Sequence, residues 1–83
     1  MKKRYFRLEM SNGNDVYQMQ LIYGTFQQAI EHSFEMLKQK IGRSNEWEQT
    51  EFDEDSLISE FSGRSMEGRR YYAYIIAMDV IKL

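Results

Sequence analysis

The stretch TFQQAIEHSFEMLKQKIG, Thr25–Gly42, decides the fold, because it carries the helical period in a chain whose flanks are patterned for strands. Phe26, Ala29, Ile30, Phe34, Leu37 and Ile41 recur at spacings of three and four, which draws one apolar stripe down a helix. Thr25 followed by Gln28 fits the capping box, in which the Thr hydroxyl accepts from the third helical N–H and the Gln reaches back. Lys38 and Lys40 stand where the negative end of the helix dipole would be, and Gly42 is a natural stop. The spacing predicts an amphipathic helix over about residues 26–41.

Working outward toward the N-terminus, residues 4–10 alternate, with Phe6, Leu8 and Met10 on one side and Arg7 and Glu9 on the other. SNGND (Ser11–Asp15) is a turn cluster. Beyond it VYQMQLIYG puts Tyr17, Met19, Leu21 and Tyr23 on one face and Val16, Gln18, Gln20 and Ile22 on the other. Two period-2 runs around such a cluster predict a β-hairpin.

Toward the C-terminus the pattern is weaker. SNEWEQTEFDED (Ser44–Asp55) reads either as a strand holding Trp47 or as a short helical turn capped at Ser44 or Asn45. SLISEFSG reads either as a strand with Leu57, Ser59 and Phe61 in line or as a helical turn with Leu57 and Phe61 one turn apart; the strand is preferred, since GRSMEG (Gly63–Gly68) then joins it by a second hairpin to the closing run, which is rich in Tyr, Ile and Val. The expected fold is therefore α+β, a single small domain over residues 1–83. It has an antiparallel sheet of about four strands in ββαββ order, with one amphipathic helix packed on one face.

Composition narrows the function. A domain of 83 residues buries only about 60% of its extended-chain surface, so good packing or oligomerisation is needed for stability. There is no cysteine, which removes disulfides, thiol chemistry and Cys-based zinc sites and fits a reducing, cytoplasmic compartment. The charges in MKKRYFRLEM interrupt any signal-peptide core, and no apolar run is long enough to span a bilayer, so neither a leader nor a membrane segment is expected. The single histidine, His32, falls with Gln28, Glu35 and Gln39 on the polar side of the helix and reads as a solvated surface group. Asp53 and Asp55 have the first spacing of a calcium loop, but Ile58 stands where the turn glycine belongs and Arg64 where the closing Glu belongs. No catalytic, cofactor or metal site is expected, and the chain is read as non-enzymatic.

Two constellations remain. In the closing run, Arg70, Tyr72, Ala73, Tyr74 and Ile75 resemble part of the RNP1 strand of RRM domains, in which aromatic side chains on one face stack on bases. Tyr71 replaces the motif's glycine and Ala77 its final aromatic, and the second helix of an RRM has no counterpart. The resemblance would imply single-stranded nucleic-acid binding through Tyr72 and Tyr74, helped by the basic termini. The alternative is a central strand with Ala73, Ile75 and Ala77 under the helix. Its other face (Tyr72, Tyr74, Ile76 and Met78) would then be covered by neighbours or by a second copy in a homodimer.

The second constellation is charge. Residues 44–62 hold Glu46, Glu48, Glu51, Asp53, Glu54, Asp55 and Glu60 with no basic residue, whereas residues 1–10 and 63–83 are net basic and residues 11–43 balance. With Trp47 and Phe52 among them, these acids suit a surface that docks on a basic partner protein, the charges steering and the aromatics anchoring. Glu46, Trp47, Glu48, Glu51, Asp53, Glu54 and Asp55 are the candidate contact residues. The expectation is a small acidic binding module, of the kind phages and mobile elements use to inhibit a nucleic-acid-binding partner. A subunit or assembly factor of a larger complex is the further alternative.

Overall fold

The computed structural model describes residues 2–78; the last five positions of the closing run, Asp79–Leu83, lie outside the described residues. Strands β1 (Arg4–Ser11) and β2 (Val16–Gly24) form the first hairpin. Helix α1 (Phe26–Ile41) follows, and then come β3 (Trp47–Asp53), β4 (Ile58–Arg64) and β5 (Arg70–Ala77). The class is α+β as expected, but the sheet has five strands rather than four. The addition is Trp47–Asp53, in which every residue is exposed, so its sequence shows none of the apolar alternation that marks a half-buried strand.

All neighbouring strands are antiparallel, in the order β2-β1-β5-β4-β3. The first strand and the last described strand therefore lie side by side in the middle. Because β2 and β3 are opposite edges, α1 carries the chain across one face of the sheet from edge to edge.

The helix begins as its sequence dictates. Thr25 Oγ1 accepts from the Gln28 N–H at 3.1 Å, and the Gln28 side chain accepts from the Thr25 N–H at 2.9 Å. It ends at Gly42, whose φ of 64° lies in the left-handed region that glycine tolerates, with its N–H donating to the Lys38 carbonyl. Beneath α1, Phe6, Leu8 and Met10 of β1, Ala73 and Ile75 of β5 and Phe61 of β4 pack with Ala29, Leu37 and Ile41 into one core. Each larger apolar side chain buried this way contributes about 1.5–3 kcal/mol. The register enforces the arrangement, since Leu8 stands opposite Ile75 and Ala73 opposite Phe61.

The buried serines of the helix and of β4 are satisfied. The Ser33 hydroxyl, wholly buried on the helix face, donates to the Ile30 carbonyl at 2.8 Å. Ser59 Oγ accepts from Gln49 Nε2 at 3.1 Å and Ser62 Oγ from Arg70 Nη1 at 2.8 Å. Gly63 lets β4 pass close under the end of the helix: a Cβ there would lie 3.0 Å from Ile41 Cγ2 and 3.2 Å from the Glu46 carbonyl oxygen. Among the described residues, no helix is long and apolar enough to cross a membrane.

Candidate functional site

The acidic segment becomes the β3 edge and the turn that leads to β4. Asp53 builds that turn: its Oδ1 accepts from the Asp55 N–H at 3.0 Å and the Ser56 N–H at 3.2 Å. These hydrogen bonds to Ser56 and Asp55 hold the Asp53 carboxyl below the usual carboxylate range. The segment is not uniform. Glu46 lies 3.9 Å from Arg64 Nε, and Glu48 shares a shallow surface depression with Arg70, so the N-terminal end of β3 has cations beside it. Glu48, Glu51, Asp53, Glu54, Asp55 and Glu60 make no ion pair within 4 Å among the described residues, and the last five of these gather at the other end, where β3 turns into β4.

Trp47 and Phe52 do not stand among the carboxylates. A β-bulge at Thr50 shifts the register, so Trp47 stands opposite Gly63 and Phe52 opposite Ser59, both on the helix side. There the Trp47 ring meets Phe34 at 4.5 Å between centroids, and Phe52 stacks on Phe26 at 5.8 Å. Both rings stay about half exposed, at 43% and 52%. They anchor β3 to its own helix first.

The opposite face of the sheet carries no helix. Register places its residues in rows. One row runs Met19, Glu9, Tyr74, Glu60, Glu51 across all five strands, and the next runs Leu21, Arg7, Ile76, Ile58, Asp53. Tyr72 stands between Ser11 and Ser62. Met78 reaches Tyr5 through a 2.9 Å backbone hydrogen bond, and Tyr5 in turn packs on Tyr23 with ring centroids 4.9 Å apart. Tyr72, Tyr74, Ile76 and Met78 therefore share the uncovered face, with Met19, Leu21, Tyr23 and Tyr5 extending it toward β2. Those four additional residues and Glu9 and Glu60 were missed as site residues. The alternation of β1 and β2 carried their side of the strand, but not which side the helix covers.

Tyr74 sits at the centre of this face. Partial burial raises its phenol above the ordinary value, and the carboxylates of Glu51 and Glu9 raise it further. Arg7 acts in the opposite direction. Arg7 Nε lies 3.1 Å from Glu9 Oε1, an ion pair by distance, yet the Nε is buried without an aligned hydrogen bond.

His32 is half-buried rather than fully solvated, because α1 lies over β2 and brings the ring within 3.3 Å of Gln20 Nε2. Among the described residues no three His, Asp or Glu side chains come together to hold a metal ion. An open groove of about 310 Å³ between the start of α1 and the β3–β4 turn is lined mainly by Phe6, Phe26, Ile30, Phe52 and Leu57, with Lys2, Arg4 and Glu54 also on it. No family model, curated protein or solved structure matches this chain.

Proposed function

We propose that the protein is a non-enzymatic binding module that captures a basic surface of another protein with the acidic corner formed by the end of β3, the β3–β4 turn and Glu60. The observation that carries this reading is the placement of Glu51 directly opposite Glu60 in the ladder. Like charges opposite one another destabilise a sheet. The hydrogen bond from Thr50 Oγ1 to Glu60 Oε1, at 2.8 Å, eases the repulsion without neutralising it. A basic partner would supply the missing counter-charge and gain steered association from it.

A partner with such a surface is a nucleic-acid-binding protein, and covering that surface excludes its nucleic acid. This makes the chain an inhibitor by occupation, the role that phage and mobile-element products of this size and charge commonly fill. The base-stacking alternative loses ground for the same electrostatic reason. Tyr74 is flanked in register by Glu9 and Glu60, whose charges repel a phosphate backbone.

The test is affinity capture from the native host with the wild-type chain and with Glu51→Lys, Asp53→Lys and Glu54→Lys combined. The wild type is expected to retain a basic protein that added polyanion or high salt releases, and the triple variant to lose it. Equal capture by both chains overturns the reading.

A further inference from the structure

The two edges of the sheet are built differently. β3 carries Glu48, Glu51 and Asp53 and is bulged at Thr50, the usual devices by which an edge strand is kept from pairing with another chain. β2 carries none of the charge: VYQMQLIYG contains neither a charged residue nor proline. Its one irregularity lies at its start, where the register shifts opposite Met10 and Ser11; from Gln18 to Gly24 the strand is regular. On its uncovered side Met19, Leu21 and Tyr23 are 59%, 60% and 61% exposed. Polar and apolar side chains of β2 are inverted relative to the core, with Gln18 and Gln20 on the helix side, opposite Met10 and Leu8.

We infer that β2 is the contact edge of a twofold homodimer, in which β2 pairs antiparallel with β2 of a second copy, centred on Leu21, to make one continuous sheet of ten strands. Three arguments select a second copy as the occupant. An antiparallel strand is its own complement under a twofold axis normal to the sheet, so the outward N–H and C=O groups of one copy meet those of the other. That axis preserves faces, so only residues of equal parity can stand opposite one another; centring on Leu21, the middle of the regular segment, uses all of Gln18–Gly24. Leu21 then meets its own mate and Met19 meets Tyr23 of the second copy, a favourable sulfur–aromatic pair.

The third argument is charge. The chain has a net charge of −2, with its unpaired carboxylates concentrated on the far edge. β2 is four strand spacings from β3, about 19 Å, so it is the edge at which two copies approach with least repulsion. The basic partner proposed above is drawn to the other edge. In the dimer the two acidic corners lie at opposite ends of the sheet, roughly 40 Å apart, and can engage two sites at once.

Sedimentation equilibrium of the full chain tests the inference. At high micromolar concentration the expected mass is twice the 10.0 kDa of one chain. Leu21→Lys sets like charges against each other across the axis and is expected to weaken the dimer by about tenfold or more, whereas Glu51→Lys leaves it unchanged. Should Leu21→Lys fail to fold by circular dichroism, Leu21→Cys decides, since the chain has no other thiol. Mild oxidation is expected to link Leu21→Cys into a dimer and to leave Met66→Cys, in the loop before β5, as a monomer. A monomeric wild type overturns the inference, as does a dimer that withstands Leu21→Lys, or Leu21→Cys chains that stay unlinked. Since these measurements involve no partner, failure of the acidic-corner reading would leave their outcome untouched.

Discussion

Tyr74 stands in the middle of the uncovered face with a carboxylate opposite it on each side, and its hydroxyl feels both burial and those charges. A phenol whose value is raised in the folded chain binds its proton more tightly there than when unfolded. The associated stability is fully present below the ordinary value near 10.0 and is lost as pH rises through the raised one. Stability of the wild type to urea is therefore expected to fall as pH rises above about 10. Tyr74→Phe removes part of that dependence; an identical alkaline slope in the variant would contradict the assignment. Alternation along Arg70–Ala77 is enough to put Tyr72 and Tyr74 on one side of a strand. It says nothing of Glu9, Glu60 or Glu51, which reach Tyr74 only because β1 and β4 flank β5 and β3 lies beyond β4.

At the scale of elements, α1 and β3 are opposites. The helix is specified locally, by a capping box, a stripe of period 3.6 and a terminal glycine, and the structure places its ends at Phe26 and Ile41. Ser33, a polar residue inside the stripe, is the one position that its type disguised; its hydroxyl is satisfied by the preceding turn, so burial costs little. β3 is specified from outside. It bonds to a neighbour on one side only, and the bulge at Thr50 puts Trp47 and Phe52, which are of opposite parity in sequence, on the same face. A period-2 reading fails there for that reason. The strand is held to the body by Phe52 on Phe26 and Trp47 on Phe34. A fully buried Phe→Ala costs about 3–5 kcal/mol. For the half-exposed Phe52 about 1–2 kcal/mol is expected, enough to speed amide hydrogen exchange in β3 by roughly tenfold while β1 and β5 keep their protection. A uniform loss of protection across the sheet would show that β3 is not a separately opening unit.

For the molecule as a whole, stability depends on the central pair β1 and β5, which joins the N-terminal hairpin to the β3–β5 meander. Leu8 is wholly buried at that junction, opposite Ile75. Leu8→Ala is expected to cost about 2–5 kcal/mol. A chain of this length has about 4–12 kcal/mol in total, at the usual stability per residue. Urea unfolding should show a much lower midpoint with an unchanged slope. A loss below about 1 kcal/mol would mean that the core does not close where β1 meets β5.

Local pattern was enough for the helix with both of its ends, the first hairpin, the concentration of acid between residues 44 and 62 and the faces of the alternating strands, except at Tyr17: the irregularity opposite Met10 and Ser11 turns its ring away from Met19 and Leu21, to Tyr71 and Lys40 on the helix side. Those features rest on interactions within a few residues, or on side-chain composition, and so can be read locally. Long-range pairing was needed to fix which face of β2 is left bare, that Trp47–Asp53 is a strand, and that Glu51 stands against Glu60 while Glu46 has Arg64 nearby. The reason is that β-pairing is a contact between distant segments. Once Phe6, Leu8 and Met10 turn toward the helix, their partners Ile22, Gln20 and Gln18 must follow, and Met19, Leu21 and Tyr23 are left outside whatever their hydrophobicity.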